Sequence, residues 1–459
     1  MSAVAPRRSA NPRPHGRPAR YRLAALIAAI VVIVMVANSL LDYVFLDTIP
    51  GRTSLFGLVA VVLVAVATFV FVRAFERDPA QRTRYLVRAA VLLGIAALLW
   101  LLVSDAFLFA SSAGPVVAVV STAACIPTTA FGLFVIRRID RNEKEPWRLV
   151  LVAAAWGALV ATSLVIWGES FWEQIAVRTL VPGPGLDATQ AFSAGLLEEL
   201  GKGTAVLLLF LVMRNEFDDV VDGIVYGAAV GLGFNFMESL TYMTNLYAIF
   251  DPAGAGPIAA GFQWYARQVL GLFMGHATYT AFVGAGIGIA RQLPNRRSKV
   301  LAIVAGFVIA IAAHFSWDAW LNFFPIGGGL LGLAGIHLRT ILMTGPFTTV
   351  VIVLLILGLR SESTALSAQL RKEAATGAGV VVPEEVDILR SPWRRFRERL
   401  RALDRRGIGA YVRLARLQAA QLDLAMERWH RERQELDEPL EAEDELRRKI
   451  LVLRQLAAF

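Results

Sequence analysis

The chain has 459 residues, 56% of them hydrophobic and 18% charged, with a formal net charge of +9 and a single cysteine. A mean hydropathy of +0.55 excludes an ordinary soluble domain, whose water-exposed surface needs more charge than this. One cysteine, Cys125 in an apolar stretch, excludes an internal disulfide framework, and the basic excess suits one-sided loops of a membrane protein, with no nucleic-acid partner expected.

Residues 1–22 form a basic tail, expected to be disordered, with Arg7, Arg8, Arg13, Arg17, Arg20 and Arg22 and no acid. The apolar segment behind it, residues 23–46, is too long for a signal-peptide core and lacks a cleavage site, so it reads as a retained first span. Further apolar runs at about 53–73, 89–111, 115–136, 149–172, 190–213, 223–249, 266–290, 300–321 and 339–359 are each long enough to cross a bilayer as a helix. The expected fold is all-α and polytopic, with about ten transmembrane helices and a helical, charged C-terminal region over residues 361–459.

Loop charge sets the expected orientation. The tail, the loop Arg73–Arg88, "RRIDRNEKEPWR" (Arg137–Arg148) and "RQLPNRRSK" (Arg291–Lys299) are basic and fall on one side, whereas "VPGPG" (Val181–Gly185) and "GGG" (Gly327–Gly329) are not. Both termini are therefore expected in the cytoplasm, with the chain in the cell membrane. The loop "RNEFDDVVD" (Arg214–Asp222) falls on the basic side yet is acidic. Beyond it, "SPWRRFRERLRALDRR" begins with Ser391 as a candidate N-cap and Pro392 at the first helical position. Trp393, Phe396, Leu400 and Leu403 then recur at helical spacing among arginines, which fits a helix on an anionic membrane surface or on a partner, and equally one packed on its own tail.

Ionisable groups inside hydrocarbon are costly and mark function by default. Four consecutive spans carry them: Glu198, Glu199 and Lys202 in "EELGK", Glu238 in "FNFME", His276 in "GHATYTAF", and His314 with Asp318 in "HFSWD". Glu198 and Lys202 are one helical turn apart, as are His314 and Asp318, so each pair shares a face. Glu199 lies about 100° round the helix from Glu198, which leaves the two carboxylates free for different roles. Taken singly, each group has a bland reading: a buried ion pair, or a hydrogen-bonded packing histidine. Together they suit hydrolysis, in which imidazoles and carboxylates hold one divalent metal and a glutamate deprotonates water. A phosphate-binding loop at Gly201–Lys202 fails on spacing, and the H-E-x-x-H, G-x-S-G and G-x-G-D protease motifs are absent.

These motifs, in this order and on successive spans, resemble the PrsW family of intramembrane proteases, itself related to the CAAX prenyl proteases. The pattern E-E-x-x-K is matched by Glu198–Lys202, F-x-x-x-E by Phe234–Glu238, and the later histidine motifs by those at His276 and His314–Asp318. The similarity covers about residues 115–321, which leaves 23–111 as accessory spans, 339–359 as a last span and 361–459 as an addition. The resemblance implies hydrolysis of a peptide bond in a membrane-anchored substrate, of the anti-sigma-factor kind, by a metal-dependent peptidase with Glu198, Glu199, Lys202, Glu238, His276, His314 and Asp318 in its site, and imidazole with carboxylate makes zinc the expected metal. Glu198 or Glu199 is then the expected base, and Glu238, His276 and His314 the expected metal ligands, with Asp318 behind them or as a fourth. The alternatives are a metal-free glutamate–histidine protease, a transporter using the charges as an ion relay, and a scaffold acting through its C-terminal tail.

Depth adds one expectation. Glu198 lies 16 residues before Arg214, Glu238 16 after Asp222, His276 15 before Arg291 and His314 15 after Lys299. Four spans of alternating direction thus hold their polar group at one level, roughly 23 Å from the basic side at about 1.5 Å per residue. In a hydrocarbon core about 30 Å thick, that level is nearer the far face, so cleavage is expected near the outer surface.

Overall fold

The structure, a computed structural model, describes residues 17–46, 49–141, 144–213, 217–323, 329–432 and 443–458, so the first sixteen residues of the basic tail lie outside it. Every regular element among the described residues is helical. Two units form, Met1–Ser104 and Asp105–Phe459. In the first, α1 (Arg17–Leu46) packs on α2 (Ile49–Phe75). Helix α3 (Pro79–Ala113) adds Gly94 against Ala28, and its Trp100 ring lies over Gly57.

The second unit continues with α4 (Pro115–Ile139) and then α5 (Trp147–Ala155), which passes through a π-helical turn (Trp156–Ala161) into α6 (Thr162–Thr179). Helices α7 (Pro184–Val212), α8 (Val220–Phe250), α9 (Gly256–Trp264), α10 (His276–Gln292) and α11 (Arg296–Phe323) follow. After α12 (Gly329–Arg339) and another π turn, α13 (Gly345–Ala374) leads to α14 (Pro383–Leu389), α15 (Pro392–Glu432) and α16 (Glu443–Ala458).

Among the described residues, six stretches are long and apolar enough to cross a membrane: Gln81–Ala113, Pro115–Ile139, Trp147–Thr179, Val220–Ala253, Arg296–Ala319 and Leu331–Ala374. The apolar stretches Leu26–Leu40 and Val59–Ala74 are shorter and fall on the first two expected spans. Two expected spans account for the rest of the difference from ten. Helix α7 carries three ionisable groups inside its apolar run. The span expected over 266–290 is not one helix: α9 and a π turn (Tyr265–Leu270) end in irregular backbone, and α10 starts afresh at His276. Non-helical backbone at such depth is tolerated only where protein or a cavity surrounds it. Here Gly271 N–H bonds to Ala266 O, and Phe273 O accepts from Thr278 Oγ1 at 2.6 Å, which occupies two polar groups of the break.

Helix α8 is the centre of this unit, buried on nearly every side. Its start explains the acidic loop that dissents from the charge rule. Asp219 caps the helix by accepting from Val221 N and Asp222 N, and the Asp222 carboxylate accepts in return from Asp218 N and Asp219 N. The acids are helix-capping groups, favoured at the positive end of the helix dipole. Further along, Gly223, Gly227 and Gly231 form a stripe at four-residue spacing, where a Cβ would overlap the carbonyl oxygens of Gly284, Thr280 and His276 on α10. Small residues at this spacing let two membrane helices approach backbone to backbone.

Helix α13 runs through Arg360 to Ala374 without a break, so the region after the last span is joined to it rigidly. Leu366 and Leu370 enter a second core with Leu389, Leu417, Leu424 and Ile450. Buried Glu373 closes that core by pairing with Arg428 and, at 2.9 Å, with Arg447.

Candidate active site

All seven ionisable residues singled out in the sequence meet in one cluster. Helix α7 supplies Glu198, Glu199 and Lys202, all buried, with Lys202 and Glu199 fully enclosed. The one-turn spacing aims both carboxylates at one ammonium: Lys202 Nζ is 3.1 Å from Glu198 Oε2 and 2.6 Å from Glu199 Oε1. It also lies 4.4 Å from the centre of the Phe234 ring on α8, a cation–π contact in a dry site.

The same spacing recurs on α8. Phe234 and Glu238 share a face, and both touch His276: the Phe234 ring is 5.0 Å from the imidazole, and Glu238 Oε2 is 2.5 Å from His276 Nε2. Because the α10 helix starts at His276, the break in the span brings this ring into the cluster, and Gly231 lets its backbone lie against α8. On α11, His314 and Asp318 repeat the pattern, with Asp318 Oδ2 3.4 Å from His314 Nε2. Two histidine–carboxylate pairs result, with ring centres 5.1 Å apart. Glu198 Oε2 stands between them, 3.5 Å from His276 Nδ1 and 3.6 Å from His314 Nε2.

The two glutamates of α7 differ in surroundings. Glu199 is walled in: besides Lys202, it faces His314 Nδ1 at 3.1 Å and accepts from Thr280 Oγ1 at 3.0 Å. Glu198 instead lines an open cavity of about 600 Å³ together with Glu238, His314 and Asp318. Hydrogen-bond logic then fixes both rings. A carboxylate accepts only, so His314 Nδ1 carries the proton, while Nε2 faces the Glu198 and Asp318 carboxylates at 3.6 and 3.4 Å. The Lys202 ammonium donates only, so His276 Nδ1, 3.0 Å away, accepts, which leaves the ring proton on Nε2, 2.5 Å from Glu238 Oε2.

The donor set fits a divalent metal. Glu198, Glu199, His276 and His314 each offer a ligand atom, all within 4.8 Å of one another, and imidazole with carboxylate is the ligand chemistry of zinc and its neighbours. Glu199 on His314 Nδ1 is the kind of outer carboxylate that orients a metal-ligating histidine. Glu238, expected among the ligands, sits on His276 at a hydrogen-bonding separation.

Three further residues belong to the site and were not singled out in the sequence. Arg267, in the π turn before α10, is 2.7 Å from Glu238 Oε2 and stacks over Tyr242. It falls at the edge of the span expected over 266–290. Glu169 on α6 lines the cavity, and its signal was a lone acid in an apolar span. Thr280 had none, since threonine is common in membrane helices.

Residues 145–369 match the family described as PrsW family intramembrane metalloprotease. The chain is similar to Protease PrsW of Geobacillus kaustophilus (strain HTA426), at 30% identity over 183 residues that cover 40% of this chain and 70% of that one. It is likewise similar to Protease PrsW of Shouchella clausii (strain KSM-K16), at 27% over 44% of this chain and 83% of that one. For Protease PrsW of Bacillus subtilis (strain 168), the identity is 27% over 39% of this chain and 72% of that one. No solved structure matches. The family match starts after α4 and reaches into α13, a span later at its start than the motifs suggested and a span further at its end.

Proposed function

The chain belongs to the PrsW family of membrane-embedded peptidases, and from that premise we propose that it hydrolyses a peptide bond of a membrane-anchored protein, near the membrane face opposite the basic loops, with Glu198 as the base. The observation that carries this reading is the setting of Glu198 Oε2. It lies at the wall of the cavity, between His276 Nδ1 and His314 Nε2, where the other α7 glutamate is enclosed.

A divalent metal, with zinc the best fit to the donors, would be held by His276 and His314, with Asp318 beside His314 as a further donor. When bound, it supplies Lewis acidity towards the scissile carbonyl and the attacking water. Glu198 takes the proton of that water and delivers it to the departing amine. Lys202 holds the two α7 carboxylates in place, its ammonium 3.1 Å from Glu198 and 2.6 Å from Glu199. Glu199 holds the proton on His314 Nδ1, and Glu238, itself held by Arg267, orients His276.

The cavity supports cleavage near the far face. Its lining runs from the catalytic group to Glu173 near the end of α6 and Asp187 in the first turn of α7. These flank the low-charge loop, opposite the basic ones. With that loop outside and the termini in the cytoplasm of a cell membrane, an anchored substrate of the anti-sigma-factor kind would lose its external part. Mass-spectrometric mapping of the cut in a membrane-anchored substrate tests both claims. Wild-type protein should cut in the outer half of the substrate's span or just outside it, and Glu198→Gln should yield no product while remaining folded at the assay temperature. Product from Glu198→Gln, or a cut in the half next to the basic loops, would overturn the reading.

A further inference from the structure

Away from the peptidase site, basic side chains gather at the end of α4. Arg138, at the end of that span, with Arg141 and Lys144 behind it, faces Arg395, Arg399 and Arg416 of α15 across a groove of about 730 Å³. Asp423 is the one acid in its lining. Arg395 forms the floor: it is buried, and its guanidinium donates to Leu389 O at 2.6 Å and to Arg141 O at 3.0 Å, which ties α15 to the end of α4. Partial burial, together with the charges of Arg138, Arg137, Arg399 and Arg395, pushes the Lys144 ammonium below its ordinary pKa.

The other half of the observation is apolar. The helix α15 leaves the face expected from its sequence uncovered: Trp393 is 65% exposed, Phe396 41% and Leu400 42%. Self-packing involves the later half of α15 instead, beyond the kink at Gly407. Trp393 and Phe396 also line the basic groove, so cations and aromatic rings share one surface. A second basic groove, lined by Arg360, Arg371 and Arg390, adjoins it through Arg141 and Pro392.

We propose that this groove binds the headgroup of an anionic phospholipid from the leaflet on the basic side, with Trp393 and Phe396 at the level of the glycerol and upper acyl chains. Charge complementarity selects the phosphate, the groove's place at the end of a membrane span selects a lipid over a soluble anion, and the rings suit the interface where aromatic side chains concentrate. The site is independent of the peptidase cluster. Its effect is to fasten the C-terminal helices to the membrane and to make that fastening depend on lipid charge.

The test uses the full chain in detergent, with native mass spectrometry of bound phosphatidylglycerol against phosphatidylcholine of the same acyl chains. The wild type should retain the anionic lipid preferentially. Lys144→Glu/Arg416→Glu, both exposed positions, should lower that retention about tenfold or more, since each basic residue near such a surface contributes roughly one kilocalorie and reversal doubles the change. Arg448→Glu/Lys449→Glu on α16, with the same change of net charge, should retain the lipid as the wild type does. If the reversed variant misfolds, Lys144→Gln/Arg416→Gln reports the same loss at smaller amplitude. Equal retention of the two lipids, unchanged retention in the groove variants, or displacement of phosphatidylglycerol by millimolar inorganic phosphate would each overturn the proposal.

Discussion

Replacing Lys202 by Met removes the one ammonium in the cluster while keeping the length of the side chain. Its Nζ lies 2.6 Å from Glu199 Oε1 and 3.1 Å from Glu198 Oε2, and neither Lys202 nor Glu199 is exposed. At an effective dielectric of about 20, two unit charges at 2.6 Å attract by about 6 kcal/mol before the cost of desolvation is subtracted. Breaking a buried pair by deleting one partner costs about 3–5 kcal/mol, because the remaining charge is stranded. Lys202→Met should fall in that range, since it strands two carboxylates. Glu199→Gln should cost less, because Glu198 still pairs with the ammonium. The double variant Glu199→Gln/Lys202→Met removes one stranded charge, so it should be less destabilised than the sum of the singles by about 2–3 kcal/mol. Equilibrium unfolding of the purified protein in mixed micelles measures all three. If the singles add to within about 0.5 kcal/mol, the ammonium is not what holds the two carboxylates, and the account of the site's electrostatics fails.

Two further outcomes follow from the same geometry. Chelation should strip zinc and abolish cleavage, zinc should restore both, and His314→Ala should lower metal content by mass analysis; full activity of metal-free protein would shift the chemistry to Glu198 and His314 acting on water directly. Gly231→Ala should destabilise the protein by about 1–3 kcal/mol by forcing α8 from the backbone of His276. It should also lower cleavage by more than Gly223→Ala, which meets α10 at Gly284, and equal losses would refute the positioning role.

Much of the fold could be read from apolar runs, because hydrocarbon leaves few alternatives to a helix. The reading fails where the chain solves the same constraint differently. The span expected over 266–290 looked continuous because Leu272, Phe273 and Met274 raise hydropathy in a loop as readily as in a helix. The break at Gly271–Gly275 depends on α8 and α4 covering it, which is tertiary information. Likewise, the last span looked as though it ended at Arg360, the first charge after it, yet α13 continues for fourteen residues to Ala374 because Leu366 and Leu370 find a core beyond the membrane. In the acidic loop before α8, charge alone suggested an exception to orientation, whereas the cap geometry at Asp219 and Asp222 gives it a local cause.

The site was more legible than the fold, for a physical reason. An ionisable side chain buried in a membrane helix needs a partner, and the cheapest partner lies one turn away on the same face. So Glu198–Lys202 and His314–Asp318 could be paired from spacing, and Phe234–Glu238 converge on the same imidazole. What spacing could not reach was the division of labour between Glu198 and Glu199. Adjacent residues on a helix differ by about 100°, which says that they face apart but not which faces the substrate. That depends on Thr280 and His314, contributed by two other helices, which close around Glu199 and leave Glu198 at the cavity wall. Arg267 escaped for the complementary reason: its partner Glu238 is 29 positions away in sequence, and only the π turn swings it inward. A charge at the edge of an apolar run therefore belongs to the site or to the interface according to the local helical pitch, which hydropathy does not encode.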